Sequence, residues 1–281
     1  MIKSTYNPET NVSTFVVDAE RSVVNAARRA ATCLVEKDAF NVKKIDNESG
    51  TQDAIIISDF GLLDVPRNAD FQEVVLEETN TGGEAWKSVG PTNFKCYDKD
   101  KRLVENPWKD SPIVSTRLRF NETIRVVLDK VHGIGKTHAK FIPVSIHWKE
   151  IDKGLLQVTI RGRGGDNDPR RPWNDGIVEV QKRLEHVVAT LTTTAIDATP
   201  IQKLRLHIPG EDSTLGELIS EFGNKHPDVE RCGYNNDQSA GMITVDMVCR
   251  SGLNCYTALI ETIREAIIGV EKVRLDDKYF T

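Results

Sequence analysis

The chain lacks any Cys-x-x-Cys pair. Its five cysteines (Cys33, Cys96, Cys232, Cys249, Cys255) are odd in number and scattered, which excludes a disulfide framework and the usual zinc spacings. They read as buried or half-buried thiols. No apolar run approaches the ~18 residues of a membrane span, and the polar start from Met1 to Thr10 has no signal-peptide pattern. The expected setting is therefore intracellular, with cytoplasm, nucleus and virion not distinguished. An excess of positive charge is also missing. A formal net charge of −5 argues against a protein whose main task is gripping phosphates, although a local basic patch is compatible with it. What remains is an ordinary globular composition, with 39% hydrophobic and 28% charged residues over 281 positions. That length supports a sizeable core and suggests two compact units.

One stretch organises the rest. Lys130 to Val144 joins an alternating run (Ile124, Val126, Leu128) to a second apolar run (Phe141, Ile142, Val144, Ile146). Gly133 and Gly135 lie between, where positive φ is available to them. Gly135-Lys136-Thr137 copies the end of a phosphate-binding loop, but the position of that motif's first glycine is Lys130. Pro143 and its β-branched neighbours also argue against a following helix.

Before this stretch, Thr14 to Asp18 predicts a strand. Ser22 then caps a helix with Val23, Val24, Ala27, Ala30, Ala31 and Leu34 on one stripe. Ile55 to Pro66 reads as a buried apolar run. Phe71 to Val89 reads as a hairpin turning at Asn80 to Gly83, and Asp98 to Asp110 as a surface loop. After it, Leu155 to Ile160 predicts a strand, and Arg161 to Asp166 a charged loop. Asn174 or Asp175 would cap a helix carrying Ile177, Val180, Leu184, Val187, Val188 and Leu191. Thr192 to Pro200 has the composition of a linker. Leu204, Leu206 and Ile208 predict a strand, and Thr214 with Glu217 a capping box. Met242 to Arg250 predicts another strand. A terminal helix follows, with Tyr256, Leu259, Ile263, Ala266, Ile267 and Val270 on one face.

Gly133-Ile134-Gly135-Lys136-Thr137-His138-Ala139-Lys140-Phe141-x-Pro143 resembles a signature of the α-like assembly subunits of cellular RNA polymerases. These are the archaeal D subunit, the eukaryotic third-largest subunit and, more distantly, the bacterial α amino-terminal domain. Ser22 to Arg29 resembles that family's Asn-Ala-Leu-Arg-Arg helix. Ser58 to Pro66 looks like a degenerate His-Arg-x-Gly-Leu-Ile-Pro element in which Gly61 and Leu62 match. Ser213 to Ile219 is similar to the Asp-His-Thr-Leu-Gly-Asn-Leu motif of the smaller partner, the archaeal L subunit. His226-Pro227-Asp228-Val229 and Gly233-Tyr234 stand where that partner has related residues, and its His-Pro-Leu is replaced by Asn235 to Gly241.

The resemblance implies a larger and a smaller α-like subunit joined head to tail, a fusion of the kind found in large DNA viruses. The implied class is α+β. Residues 1–51 and 151–198 would form a discontinuous dimerisation domain, 52–150 an inserted β-rich domain, and 199–281 the smaller dimerisation domain. The implied role is a non-catalytic platform for two large catalytic polymerase subunits, with small accessory subunits attached and template DNA met only through the complex. The expected interface residues are Asn25, Ala27, Arg28, Arg29, Gly133, Gly135, Lys136, His138, Lys140, Leu215, Gly216, Leu259 and Ile263. Where several family members carry a cysteine cluster in the inserted domain, this chain has Cys96 alone, so no metal is expected. His132, His138 and His147 read as ordinary hydrogen-bonding side chains. No cofactor or catalytic set is expected, because polymerisation needs a carboxylate cluster holding metal ions and no Asp-x-Asp-x-Asp occurs. Two other classes remain beside this one: a nucleotide-dependent enzyme built on the Gly135-Lys136-Thr137 turn, and a stand-alone nucleic-acid-binding transcription factor.

Overall fold

A computed structural model describes residues 2–66, 69–163, 168–193 and 201–276. The elements run β1 (Thr5–Asn7), β2 (Val12–Asp18), α1 (Arg21–Cys33), β3 (Glu36–Asn47), α2 (Asp53–Gly61), β4 (Glu73–Thr79) and β5 (Lys87–Val89). They continue with β6 (Phe94–Tyr97), β7 (Leu103–Val104), β8 (Thr116–Leu118), β9 (Thr123–Ile134), β10 (Val144–Asp152), β11 (Leu155–Gly162) and α3 (Arg170–Thr193). The last are β12 (Lys203–Pro209), α4 (Ser213–Lys225), β13 (Val229–Asp237), β14 (Met242–Cys249) and α5 (Cys255–Glu271). Mixed helices and several sheets agree with the α+β expectation at that level.

The chain divides into two compact units. One holds the residues up to Val35, Pro143–Gly162 and the residues from Asp168 on, and the other holds Glu36–Ile142 together with Arg163. In the first, a sheet of order β1-β2-β11-β10 turns Phe15, Val17, Leu156, Val158 and Ile160 inward. The β10–β11 hairpin reverses at Gly154, whose φ of +81° an L side chain resists. A second sheet, β12-β14-β13, buries Ile243, Val245, Met247 and Cys249 on one face. Both sheets and all of α1, α3, α4 and α5 feed a single hydrophobic core.

Small residues set how closely these helices approach. Val23, Val24, Ala27, Ala30 and Ala31 form the buried stripe of α1. A Cβ built on Gly176 of α3 would stand 2.5 Å from the Ala31 backbone nitrogen, and one on Gly269 of α5 would stand 2.5 Å from the Phe222 ring of α4. The start of α3 also holds the segment that follows α5. The Trp173 indole donates to the Val273 carbonyl at 3.0 Å, and the Asn174 amide exchanges two 3.0 Å bonds with the Leu275 backbone. The Ile2 N–H donates to the Arg274 carbonyl beside them.

Helix starts differ from the sequence expectations, each for a local reason. Glu20 occupies the N-cap of α1, which leaves Ser22 buried in the first turn. The Asp168 carboxylate accepts the Arg170 N–H and pairs with its guanidinium, so α3 begins before Asn174, whose side chain grips Leu275. Asp212 caps α4 by accepting the Thr214 N–H at 2.8 Å, in place of a Thr214–Glu217 box. α3 runs to Thr193, and the rest of the expected linker, 194–200, lies outside the described residues.

In the second unit the main sheet has the order β3-β9-β4-β6-β7, and β5 pairs with β8. Its core is aromatic: Phe40, Phe71, Phe94 and Trp108 pack ring on ring. β3 pairs with β9 from Glu36↔Ile134 to Asn47↔Ile124. That ladder makes Val35–Glu36 the way into this unit and Ile142–Pro143 the way out, where the sequence reading had placed the junctions at 51–52 and 150–151. Residues 201–276 share a compact unit with the first segment.

Three further expectations are corrected. Ile55 to Pro66 is mostly helix, and only one side of it is buried: Ile56 and Phe60 are inside, while Ile55 and Leu62 are 50% and 56% exposed. Phe71 to Val89 is not a hairpin, because β4 finds β6 and β9 whereas β5 finds β8. Asp98 to Asp110 contains β7, and its Trp108 donates to the Asp64 carbonyl from within the aromatic cluster.

The close α1–α3 approach yields a test. Gly176→Ala should force α3 off the Ala31 backbone and destabilise the chain by about 1–3 kcal/mol, read from the urea midpoint. Gly233→Ala, where a Cβ meets nothing within 4 Å, is the control and should leave that midpoint nearly unchanged.

Candidate functional site

Above its buried stripe, α1 presents a polar edge along α4. The Lys225 ammonium sits 2.5 Å from Glu20 and 3.1 Å from Glu221. Further along, the Asn25 amide donates to Glu217 at 3.4 Å. At the far end, the Arg29 Nε donates to the Thr214 hydroxyl at 2.7 Å, with the guanidinium 3.6 Å from Asp212. Partners fall in number along α4 as they rise along α1, so the helices run antiparallel. Arg28 turns back on its own helix, donating to the Asn25 side-chain oxygen at 3.1 and 2.8 Å.

Beneath this seam lie the apolar residues of the expected interface. Ala27, Leu215, Leu259 and Ile263 are all buried in the one core, and Gly216 is buried with a Cβ position 2.4 Å from the Tyr234 ring. The Tyr256 hydroxyl donates to the Leu191 carbonyl, and Gln181 donates to Glu271 at 3.0 Å, which ties α5 to α3. The eight expected interface residues on α1, α4 and α5 are thus brought together within one compact unit. Asp212, Thr214 and Glu217 were missed as partners of α1. The signal was available as a cap and an acid one turn apart on α4, facing an Asn-x-x-x-Arg pair on α1.

The other expected residues belong to the second unit. β9 ends at Ile134, whose carbonyl accepts from Thr137 N–H and, at 2.8 Å, from the Thr137 hydroxyl. The His138 ring accepts the Lys140 N–H at 3.1 Å. Lys140 donates to the Phe40 carbonyl at 3.0 Å with its ammonium 5.1 Å from the Phe141 ring centre, and burial holds its pKa below the usual lysine value. Lys136 is exposed. Neither Gly133 nor Gly135 has positive φ, contrary to expectation. Gly133 is needed for space instead, since a Cβ there would stand 2.7 Å from the Phe141 ring. A three-residue 3₁₀ turn, Ala139–Phe141, follows. No α-helix N-terminus after Thr137 aims its N–H groups at a phosphate.

His132 bridges Glu36 and Asp38 at 3.0 and 2.9 Å, and those hydrogen bonds raise its pKa. Burial pushes the Cys96 thiol up to about 11 and the Cys232 thiol up to about 12, which leaves both poor nucleophiles. Among the described residues, no group of three or more His, Cys, Asp or Glu is placed to hold a metal ion. No described helix is long and apolar enough to cross a membrane.

The polar seam can be measured by a double-mutant cycle. Arg29→Ala and Thr214→Ala should couple by about 0.5–1.5 kcal/mol in urea unfolding, as contacting partners do. Additive single losses would show that the contact contributes nothing.

No family model matches the chain. Over 140 residues, 49% of this chain and 68% of the relative, the sequence is 26% identical to the DNA-directed RNA polymerase subunit Rpo3 of Methanocaldococcus jannaschii.

Proposed function

We propose that the chain is a non-catalytic assembly subunit of a DNA-dependent RNA polymerase, in which two α-like modules cover each other's helices within one polypeptide. The similarity to an archaeal polymerase subunit supports the role in transcription. The observation that carries the finer reading is the single core shared by α1, α3, α4 and α5. An amphipathic helix pair with no partner exposes its stripe; here each pair is covered by the other, as two subunits of a heterodimer would cover one another.

In this reading the two large catalytic subunits assemble on the platform, accessory subunits attach around it, and template DNA is met only through the complex. Arg28, Lys136 and His138 keep part or all of their side chains at the surface, where they are available to those partners. Ala27, Leu215, Gly216, Leu259 and Ile263 act inside, by holding the modules together. The Gly135-Lys136-Thr137 turn is structural, and nucleotide binding is not part of the role.

Affinity purification of the tagged chain from the cells or particles that produce it tests this. The expected result is stoichiometric recovery of two very large polymerase subunits, with Lys136→Ala weakening that recovery at most. Recovery of the chain alone, with ATP binding lost in Lys136→Ala, would overturn it.

A further inference from the structure

The β12-β14-β13 sheet buries one face under its helices and leaves the other open. Cross-strand register places Lys203, Val248 and Arg231 in one row of that open face, and Arg205, Asp246 and Gly233 in the next. Lys203, Arg205 and Arg231 are all exposed, and together with the floor of β14 they line a cleft of ≈ 640 Å³. Arg205 spends its guanidinium on Asp246, at 2.6 and 3.3 Å. Lys203 and Arg231 have no carboxylate partner among the described residues. With strands about 4.8 Å apart, the backbones of these two residues stand ~10 Å from each other on either side of Val248. Gly233 leaves the cleft open beside them, since a Cβ there would meet nothing within 4 Å.

We propose that this open face docks an acidic, extended segment of a partner protein. Its carboxylates pair with Arg231 and Lys203, and a small apolar side chain between them rests on Val248. The guanidinium fork of Arg231 suits a carboxylate in two-point contact. Side chains at i, i+2 and i+4 of an extended segment share one face, so an acid–x–apolar–x–acid order presents these groups together, and shape and charge then match. Single-stranded nucleic acid is the poorer fit. It needs aromatic platforms for its bases, and the one Trp, Tyr or Phe on these strands, Tyr234, turns its ring to Gly216 on the buried side. Duplex DNA needs many more phosphate contacts than two unpaired cations supply. The recognition chemistry is the same whichever protein carries the segment.

The test uses the full chain and fluorescence anisotropy at low ionic strength. The probe is a short fluorescein-labelled peptide that repeats glutamate-serine-valine-serine, so that glutamate and valine alternate on one face when it is extended. Its counterpart with lysine in place of glutamate and a labelled thymidine oligonucleotide are run beside it. The glutamate peptide should bind, and Arg231→Glu and Lys203→Glu should each weaken it by about tenfold, as the loss of one charge-assisted bond does. Arg231→Lys, which keeps the charge and loses the fork, should bind between the parent and Arg231→Glu. Urea midpoints should stay at the parent value, because both side chains are exposed. Absence of binding, equal affinity in the parent and both charge-reversed variants, or tighter binding of the oligonucleotide would overturn the proposal.

Discussion

Everything in the larger compact unit depends on how closely α1 can be approached. Its alanine stripe offers no bulk, and Gly176 lets α3 come within contact of the Ala31 backbone. Dispersion between well-packed atoms is weak per pair and large in sum, and it is lost steeply when surfaces separate. One methyl at residue 176 therefore acts on the whole helix layer. The same economy recurs at Gly269 on Phe222 and Gly216 on Tyr234. Leu215, Leu259 and Ile263 are buried in the same core.

Hydrophobic periodicity made the helices legible, because a stripe such as Val23, Ala27, Ala30 repeats with the turn of the helix wherever the partner lies. The strand of β14 and the alternation of β11 were legible for the same reason. Element starts were less so. Asp168 and Asp212 hold those positions with carboxylates that accept backbone N–H groups, and Glu20 with its backbone carbonyl, which accepts from Val24, while a sequence displays several candidate caps within one turn. α2 was missed because Ile55 and Ile57 make an unbroken apolar run that periodicity cannot resolve, although both are largely exposed. Strand pairing was missed at β4 and β5 because a turn-like Asn80–Gly83 predicts a local hairpin, whereas partners far along the chain win both strands.

The expected interface residues separate into two kinds. Ala27, Leu215, Gly216, Leu259 and Ile263 are fixed inside the core and cannot touch another protein without unfolding. Arg29, half exposed, is drawn to the cap of α4 rather than left wholly to the solvent. What the signature stretch specifies is a compact bend. Gly133 gives room to Phe141, and Lys140 reaches back to the Phe40 carbonyl. Its exposed tip carries Lys136 and His138.

The proposal that two modules satisfy each other within one chain makes a statement about mass. Sedimentation equilibrium over a wide range of concentrations measures it directly. Two modules tethered in one polypeptide meet at an effective concentration in the ~mM range, so a second copy competes poorly. The account predicts the mass of a single chain throughout. A mass rising to twice that value with concentration, and lost in Gly176→Ala, would show that the helix layer pairs between chains and would contradict it.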